Sequence, residues 1–158
     1  MRVSIVTISD SVSSGNHEDL SGKALADRCA ELGWEVISRS VVPDDEALIR
    51  TQLLALADCG KLDAVLTTGG TGVGPRDVTP EATAAVVTRQ VPGLSELMRQ
   101  TGVQKNRNAA LSRSIAGVRG ACLVINLPGS PRGAVESFDA IAELLPHAVE
   151  VLHGARHD

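Results

Sequence analysis

Residues 63–81 have the sequence DAVLTTGGTGVGPRDVTPE. Residues 63–68 form a short apolar run that is typical of a buried strand, and four glycines follow within the next six positions. Thr79, Pro80 and Glu81 then predict a helix start, with a capping hydroxyl, a proline at the first helical position and a carboxylate in the first turn. A strand, a glycine-rich loop and a helix in this order predict part of a βαβ unit.

Apolar strand patterns alternate with amphipathic helical patterns along the rest of the chain as well. Before the glycine-rich loop we expect strands at residues 3–9 and 34–42. After it we expect a hairpin of residues 114–118 and 121–127. Pro146 lies inside the last helical pattern, where it predicts a kink or a restart of the helix.

The predicted fold class is therefore α/β: a single-domain three-layer sandwich with a mostly parallel sheet and one antiparallel edge hairpin. The chain shows no linker, repeat or low-complexity tract, so this domain is expected to span residues 1–158. Hydrophobic residues make up 43% of the chain and charged residues 22%, which are the proportions of a globular protein.

The composition also disfavours several classes of partner. Aromatic residues make up only 1% of the chain, whereas single-stranded nucleic-acid binding usually relies on aromatic platforms. The net charge of −4 disfavours any large polyanion. No apolar run approaches a membrane span, no signal peptide is evident, and the three cysteines are scattered like reduced thiols of the cytoplasm. We therefore expect a cytoplasmic protein that binds neither nucleic acid nor a membrane.

The glycine-rich loop is the strongest candidate for a ligand site. Ligands of open parallel sheets bind beyond the carboxyl ends of the strands, where this loop is expected to lie. Its glycines let the backbone approach a ligand closely, and their N–H groups can converge on an anion. It is not a P-loop, because Pro75 and Arg76 follow its last glycine, and its spacing does not fit the dinucleotide fingerprint. The predicted phosphate-binding residues are Thr68, Gly69, Gly70, Thr71 and Gly72.

Three carboxylates follow the predicted strands. Asp44 and Asp45 come after the second strand, and Asp77 comes after the glycines. If those two strands are neighbours, their ends bring the acids into one crevice beside the phosphate loop, and carboxylates there suit a Mg²⁺ ion. For Asp44 and Asp45, simple helix capping is an equally good interpretation. For Asp77 the alternative is an ion pair with Arg76.

A third feature is a stretch without carboxylates. Residues 97–135 contain six arginines and lysines but no Asp or Glu, which predicts a local anion-binding surface. Arg113 is the residue most expected to face a ligand there, because serines flank it, whereas Arg119 is expected to be a solvated turn residue. Pro128 and Gly129 belong to another strand-to-helix junction, where backbone donors could meet a ligand.

Together these motifs resemble the molybdopterin adenylyltransferase family of molybdenum cofactor biosynthesis. The resemblance covers nearly the whole chain, and the motifs occur in the family's order. The residues that carry it are Ser9-Asp10-Ser11, Val42-Pro43-Asp44-Asp45, Thr68-Gly69-Gly70-Thr71-Gly72, Pro75-Arg76-Asp77-Val78-Thr79-Pro80-Glu81-Ala82-Thr83, Pro92-Gly93, Leu111-Ser112-Arg113 and Leu127-Pro128-Gly129.

The resemblance implies a compact α/β fold that assembles as a homotrimer. It also implies Mg²⁺-dependent transfer of AMP from ATP to the terminal phosphate of molybdopterin, with release of pyrophosphate and hand-off of the product to a separate molybdenum-insertion protein. Asp44 and Asp77 match the family's essential carboxylates, so they are the expected catalytic and Mg²⁺-binding residues. The other expected contacts are Thr68, Gly69, Gly70, Thr71, Gly72, Pro128 and Gly129 for the nucleotide and phosphates, and Ser9, Asp10, Ser112 and Arg113 for the pterin.

Other functions stay open at this point. The first is a non-catalytic molybdopterin-binding or carrier paralogue, against which the retention of both Asp44 and Asp77 argues. The second is the related molybdenum-insertion activity, which belongs to a larger multidomain protein, so the length of 158 residues argues against it. A purely structural oligomer leaves the glycine-rich loop unexplained.

Overall fold

The computed structural model describes residues 1–155. The strands are β1 (Arg2–Ile8), β2 (Glu35–Val42), β3 (Ala64–Thr68), β4 (Arg89–Gln90), β5 (Ala116–Arg119) and β6 (Cys122–Leu127). The helices are α1 (Asp10–Ser13), α2 (Leu20–Glu31), α3 (Glu46–Ala57), α4 (Thr79–Val86), α5 (Pro92–Val103), α6 (Pro131–Asp139) and α7 (Leu145–Leu152), with short 3-10 helices at Arg107–Leu111 and Ala142–Leu144. In this described part of the chain, no helix is both long and apolar enough to cross a bilayer.

Within residues 1–155 the strands form one sheet in the order β2-β1-β3-β6-β5-β4. Neighbours among β2, β1, β3 and β6 are parallel, whereas β5 is antiparallel to both β6 and β4. The mostly parallel sheet is thus confirmed. The expected hairpin is β5–β6, which turns at Gly120 with φ of +57°. The edge itself is β4, a two-residue strand that no sequence pattern indicated.

Helices cover both faces of the sheet, which confirms the three layers. One face packs against α2, α5, α6 and α7, and its core includes Leu25, Met98 and Phe138. The other face packs against α3 and α4 through residues such as Ile49 and Ala82. Because helices lie on both sides of them, β3 and β6 are buried at every position, as is usual for central parallel strands.

Three local features refine the sequence predictions. The polar loop after β1 is partly helical, because the Ser9 hydroxyl accepts a hydrogen bond from the Val12 N–H at 3.2 Å and caps α1. The expected hydroxyl cap of α4 is wrong, since Thr79 donates instead to the Gly69 carbonyl at 2.9 Å. Pro146 lies in the first turn of α7, so the predicted helix restart is confirmed.

Candidate active site

Four parallel strands end at one edge of the sheet, and the predicted site residues follow them. A cleft of about 340 Å³ opens there, which we call the acidic cleft. The predicted site residues that line it are Ser9, Asp44, Thr68, Gly69, Gly70, Asp77 and Gly129. Glu18 and Ser21, which no sequence motif indicated, also line it. The topology therefore brings together residues from four separate parts of the chain.

Asp10 is tied to Asp44 at the acidic cleft. The Asp10 N–H donates to Asp44 Oδ2 at 2.9 Å, and the Asp44 N–H donates to Asp10 Oδ1 at 3.0 Å. Burial raises the pKa of the Asp44 carboxyl, and the negative charges of Asp10 and Asp77 raise it too, although the hydrogen bond from Asp10 acts in the opposite direction. The cleft thus concentrates negative charge and suits a cation.

Asp44 and Asp45 prove to have different roles. Asp45 caps α3, because its carboxylate accepts a hydrogen bond from the Leu48 N–H at 3.0 Å. Asp44 faces the cleft, where its Oδ1 lies 3.1 Å from the position that a Cβ at residue 70 would take. The strands before Asp44 and Asp77 are not neighbours, since β1 lies between β2 and β3. The two carboxylates nevertheless line the same cleft.

The glycine-rich loop crosses directly over the end of β1. Gly69 and Gly70 have φ of +107° and +66°, in the left-handed region that favours glycine. A Cβ at Gly69 would collide with the Ile8 carbonyl oxygen. The Thr68 hydroxyl donates to the Pro128 carbonyl at 2.6 Å, so it joins this loop to the loop that follows β6.

Asp77 closes the far end of the loop. Its Oδ2 accepts a hydrogen bond from the Gly74 N–H at 2.8 Å and also packs against Gly72. Arg76 pairs with Asp10 rather than with Asp77, with its Nε and Nη2 at 3.0 and 3.1 Å from the two carboxylate oxygens. The hydrogen bond from Arg76 holds the pKa of Asp10 below its ordinary value. The alternative ion pair of Asp77 with Arg76 is thus not formed in the described residues.

Arg113 binds the glycine-rich loop itself. Its Nε donates to the Gly72 carbonyl and its Nη2 to the Asp77 carbonyl, both at 2.7 Å, while its Nη1 pairs with the Glu81 carboxylate. The Arg113 N–H also donates to the Thr71 carbonyl at 2.8 Å. The predicted contact of Arg113 with a ligand stays a prediction. What the structure shows is that Arg113 holds the loop in place through these hydrogen bonds, and we call this set of contacts the brace.

A second cleft, of about 250 Å³, borders the next residues of the loop, and we call it the serine cleft. The predicted site residues that line it are Thr71, Gly72, Ser112 and Pro128, and Ser130 and Ser137 add hydroxyl groups. The predicted phosphate-binding residues are therefore divided between two clefts, as are Ser9 and Ser112, whereas Asp10 and Arg113 line neither cleft.

Asn126 lies in β6, just before the loop that borders the site, and no sequence motif indicated a role for it. It is fully buried, and its Nδ2 donates to the hydroxyls of Thr67 and Thr83 at 3.0 and 2.8 Å. Its Oδ1 accepts a hydrogen bond from the Ile115 N–H at 3.1 Å. The signal that could have found it is a polar residue within an apolar strand, because such a buried amide needs partners.

Arg119 was expected to be a solvated turn residue, and this is wrong. Its Nε lies 2.7 Å from a carboxylate oxygen of Asp58, and its Nη1 donates to the Val86 carbonyl at 3.0 Å. Both partners come from distant parts of the chain, so local spacing could not indicate them.

The donor set at the acidic cleft fits a Mg²⁺ ion that is shared with a substrate. Asp44 and Asp77 supply hard carboxylate oxygens. The pKa of Asp44 is raised first by burial and then by the negative charges of Asp10 and Asp77, so a cation would favour its ionised form. In residues 1–155, no three His, Cys, Asp or Glu side chains are grouped closely enough to hold a metal unaided. Mg²⁺ commonly takes one or two protein carboxylates and completes its shell with phosphate oxygens and water, so two carboxylates suffice.

Known proteins share both this sequence and this fold. Residues 4–147 match the family model described as "Probable molybdopterin binding domain". The molybdopterin adenylyltransferase of Helicobacter pylori strain J99 is 39% identical over 156 residues, with 98% of this chain and 89% of that protein covered. The molybdopterin adenylyltransferase of Escherichia coli K12 is 35% identical, with 98% and 86% covered.

A solved structure leads to the same family. The molybdopterin biosynthesis enzyme MoaB from Thermus thermophilus superposes with a TM-score of 0.91 at 46% identity, and the match covers 99% of both chains. The chain therefore belongs to the molybdopterin-binding domain family, together with the molybdopterin adenylyltransferases of molybdenum cofactor biosynthesis, as its motifs predict.

Proposed function

We propose that the protein is a molybdopterin adenylyltransferase, which transfers AMP from ATP to the terminal phosphate of molybdopterin. The observation that carries this proposal is the closeness of Asp44 to the glycine-rich loop, with Asp44 Oδ1 3.1 Å from the position of a Cβ at residue 70. A carboxylate and a backbone without side chains thus share one surface of the acidic cleft. Such a surface can bring a cation and a phosphate group together.

The reaction joins two anionic substrates, so the protein must align them and offset their charge. An oxygen of the pterin phosphate forms a bond to the α-phosphorus of ATP, while the bond from that phosphorus to its leaving oxygen breaks and pyrophosphate departs. The attacking oxygen belongs to the substrate, so the chain itself supplies binding and orientation. The relatives' name, molybdopterin adenylyltransferase, supports this reaction for the present chain.

The two clefts suit two substrates that meet at the loop. We assign phosphate binding to the backbone of residues 68–72 and 128–129, which border both clefts. Pterin contacts are assigned to Ser112 of the serine cleft with its neighbour Arg113, and to Ser9 of the acidic cleft with its neighbour Asp10. The reciprocal hydrogen bonds between Asp10 and Asp44 would keep the Asp44 carboxylate aimed at the substrates.

Mg²⁺ is part of the proposal, with Asp44 and Asp77 as the residues that would hold it. When bound, it would offset phosphate charge and help to orient the phosphates. The contact of Asp77 with the Gly74 N–H fixes its carboxylate at the rim of the loop, so its position does not depend on the ion.

The test is a transfer assay with purified protein, molybdopterin, ATP and Mg²⁺, in which pyrophosphate and adenylylated pterin are measured. Asp44→Asn and Asp77→Asn should each lower turnover by about 100-fold, since they remove charge that aligns the reacting groups. Asp45→Asn is the matched control, because it removes the same charge from the neighbouring residue while asparagine still caps α3. Its turnover should stay near that of the wild type.

Two results would contradict the proposal. Unchanged turnover in Asp77→Asn would remove the role assigned to that carboxylate. Tight binding of molybdopterin by the wild type without product, under conditions in which a known transferase works, would establish the carrier function instead.

The proposal extends to assembly and location, which the family resemblance suggests. We expect a cytoplasmic homotrimer that hands adenylylated molybdopterin to a molybdenum-insertion protein. Light scattering on the purified protein should give three times the mass of one chain, and the mass of a single chain would refute the trimer.

A further inference from the structure

A third cavity, of about 300 Å³, lies beside the first turns of α5, and we call it the α5 cavity. Its walls include Gln90 and Pro92, then Ser95 and Arg99 of α5, and finally residues 112–116. It shares no lining residue with the acidic cleft. Ser112 and Arg113, which are assigned above to the pterin, form part of its wall, whereas the proposed transfer reaction does not use Ser95 or Arg99.

Ser95 has a hydroxyl that lacks a partner. The residue is only 3% exposed, and its Oγ is the one buried side-chain oxygen or nitrogen of residues 1–155 without a hydrogen bond. A buried hydroxyl without a hydrogen bond is destabilising, so such groups usually have a partner. Because Ser95 lines the α5 cavity, a ligand in that cavity can supply the partner.

Arg99 adds a positive charge to the same wall. Its Nη1 donates to the carbonyls of Ser112 and Ser114 at 3.3 and 3.1 Å. A guanidinium has five N–H donors, and within the described residues no acceptor bonds its Nε or Nη2 and no carboxylate pairs with it. The other arginine of the cavity, Arg113, is already paired with Glu81.

The N-terminus of α5 borders the same cavity through Pro92. In this twelve-residue helix no side chain caps the N-terminus, and the first turn contains no carboxylate. Helix N-termini attract negative charge through their exposed N–H groups and dipole. A guanidinium with two nitrogens that lack partners, a buried hydroxyl without a hydrogen bond and an uncapped helix start thus border one cavity.

We infer that the α5 cavity is a binding site for a small tetrahedral oxyanion of the phosphate or sulfate class. Arg99 pairs with the anion through its Nε and Nη2, and Ser95 donates its hydroxyl proton to an anion oxygen. The first turn of α5 contributes its positive end. The cavity contains none of the proposed phosphate-binding residues 68–72 and 128–129, although it borders the proposed pterin contacts Ser112 and Arg113. Anion binding by Ser95 and Arg99 does not depend on adenylyl transfer.

The experiment is a titration of ¹⁵N-labelled protein with inorganic phosphate and with sulfate, followed by NMR at constant ionic strength set with chloride. Saturable shifts are expected at the Ser95 amide and at the Arg99 Nε–H. Ser95→Ala should keep the fold, because it removes a hydroxyl that has no partner, and should weaken binding by about tenfold. Arg99→Gln should weaken binding by at least as much, and Arg99→Lys by less.

Arg107→Gln is the matched control, since it removes one positive charge from an exposed residue outside the cavity and should leave binding unchanged. The inference is overturned if neither anion gives saturable shifts at α5. It is equally overturned if Ser95→Ala binds as well as the wild type, or if the shifts are confined to residues 68–77. Since the readout is binding alone, the result is independent of transfer activity.

Discussion

Asp10 and Asp44 are bonded to each other through both of their backbone N–H groups, at 2.9 and 3.0 Å. Arg76 pairs with the Asp10 carboxylate and offsets part of the negative charge of this pair. Asp44 nevertheless keeps a pKa above its ordinary value, first because it is partly buried and then because Asp10 and Asp77 are close. The carboxylate that the proposed reaction requires in its ionised form is thus one whose ionisation the fold disfavours.

Asp44→Asn should therefore raise the free energy of unfolding at neutral pH, even though it impairs transfer. The amide keeps an oxygen that accepts the Asp10 N–H, so the local geometry is preserved. Because the pKa of folded Asp44 is raised above 3.8, its contribution to stability is complete below that pH and is lost as the pH rises through the raised pKa. Urea unfolding between about pH 4 and pH 7 should show the gain in stability increasing with pH.

Asp45→Asn serves as the control for this prediction. It removes a charge one residue away, but asparagine caps a helix as well as aspartate does, so the free energy of unfolding should change by no more than about 0.5 kcal/mol. An Asp44→Asn variant less stable than the wild type at pH 7 would show that the ionised carboxylate helps to hold the fold.

Gly69→Ala should destabilise the protein by about 3 kcal/mol or more, from backbone strain together with a collision. Its φ is +107°, and a Cβ there would meet the Ile8 carbonyl oxygen, which belongs to the backbone of β1 and cannot move aside. Gly15→Ala is the matched control, because Gly15 has φ of +81° with open space around its Cβ, so only strain of about 1–2 kcal/mol is expected. Urea unfolding measures the free energy of unfolding of both variants. If Gly69→Ala and Gly15→Ala lost the same amount, the close approach of the loop to β1 would be contradicted.

Much of the fold could be predicted from the sequence, because it rests on local patterns. The apolar run before Thr68 and the glycines after it predict β3 and its loop. The alternation of strand and helix patterns then predicts a parallel sheet, whose strand ends must lie at one edge. The two-residue strand β4 was missed because Arg89 and Gln90 carry no strand pattern and pair only through their backbone.

The roles of individual polar residues could not be predicted in the same way. Asp44 and Asp45 are equivalent in spacing, and only the direction of the chain after β2 decides that Asp45 caps α3 while Asp44 faces the cleft. The brace formed by Arg113 depends on Gly72 and Glu81, which are 41 and 32 residues away. Tertiary packing decides which distant residues become partners, so the spacing of a motif cannot predict them.

Arg113→Lys should loosen the glycine-rich loop while leaving the sheet intact. A lysine ammonium cannot reproduce the fork that binds the carbonyls of Gly72 and Asp77 together with Glu81. The loss of these bonds should lower the opening free energy of the loop by about 1–3 kcal/mol. Hydrogen exchange at the Asp77 and Thr79 amides, which bond to loop carbonyls, should quicken by about tenfold or more.

Glu81→Gln is the control for that variant, since it removes the charge but keeps an acceptor for Arg113, and it should change exchange far less. Amides within β3 should exchange as in the wild type in both variants. Unchanged exchange at Asp77 in Arg113→Lys would mean that Gly69 and Asp77 hold the loop without the brace.

Asn126→Asp should destabilise the protein in a pH-dependent way. Asn126 is fully buried, and the hydroxyls of Thr67 and Thr83 can turn to donate to a carboxylate, while the Ile115 N–H donates already. Shape and hydrogen bonds are therefore kept, and the change that remains is a negative charge out of contact with water. Burial raises the pKa of such a carboxyl, so stability is complete below its ordinary pKa and is lost as the pH rises through the raised one.

The expected loss for Asn126→Asp is about 3 kcal/mol at pH 7, and it should be nearly absent near pH 4, as measured by urea unfolding. Asn16→Asp makes the same change at an exposed residue of the loop after α1, where an effect within about 0.5 kcal/mol is expected at both pH values. If the loss of unfolding free energy in Asn126→Asp did not vary with pH, the buried charge would not be its cause. The two hydrogen bonds that the Asn126 amide donates to Thr67 and Thr83 would then be what holds β6 against β3 and α4 beneath the site.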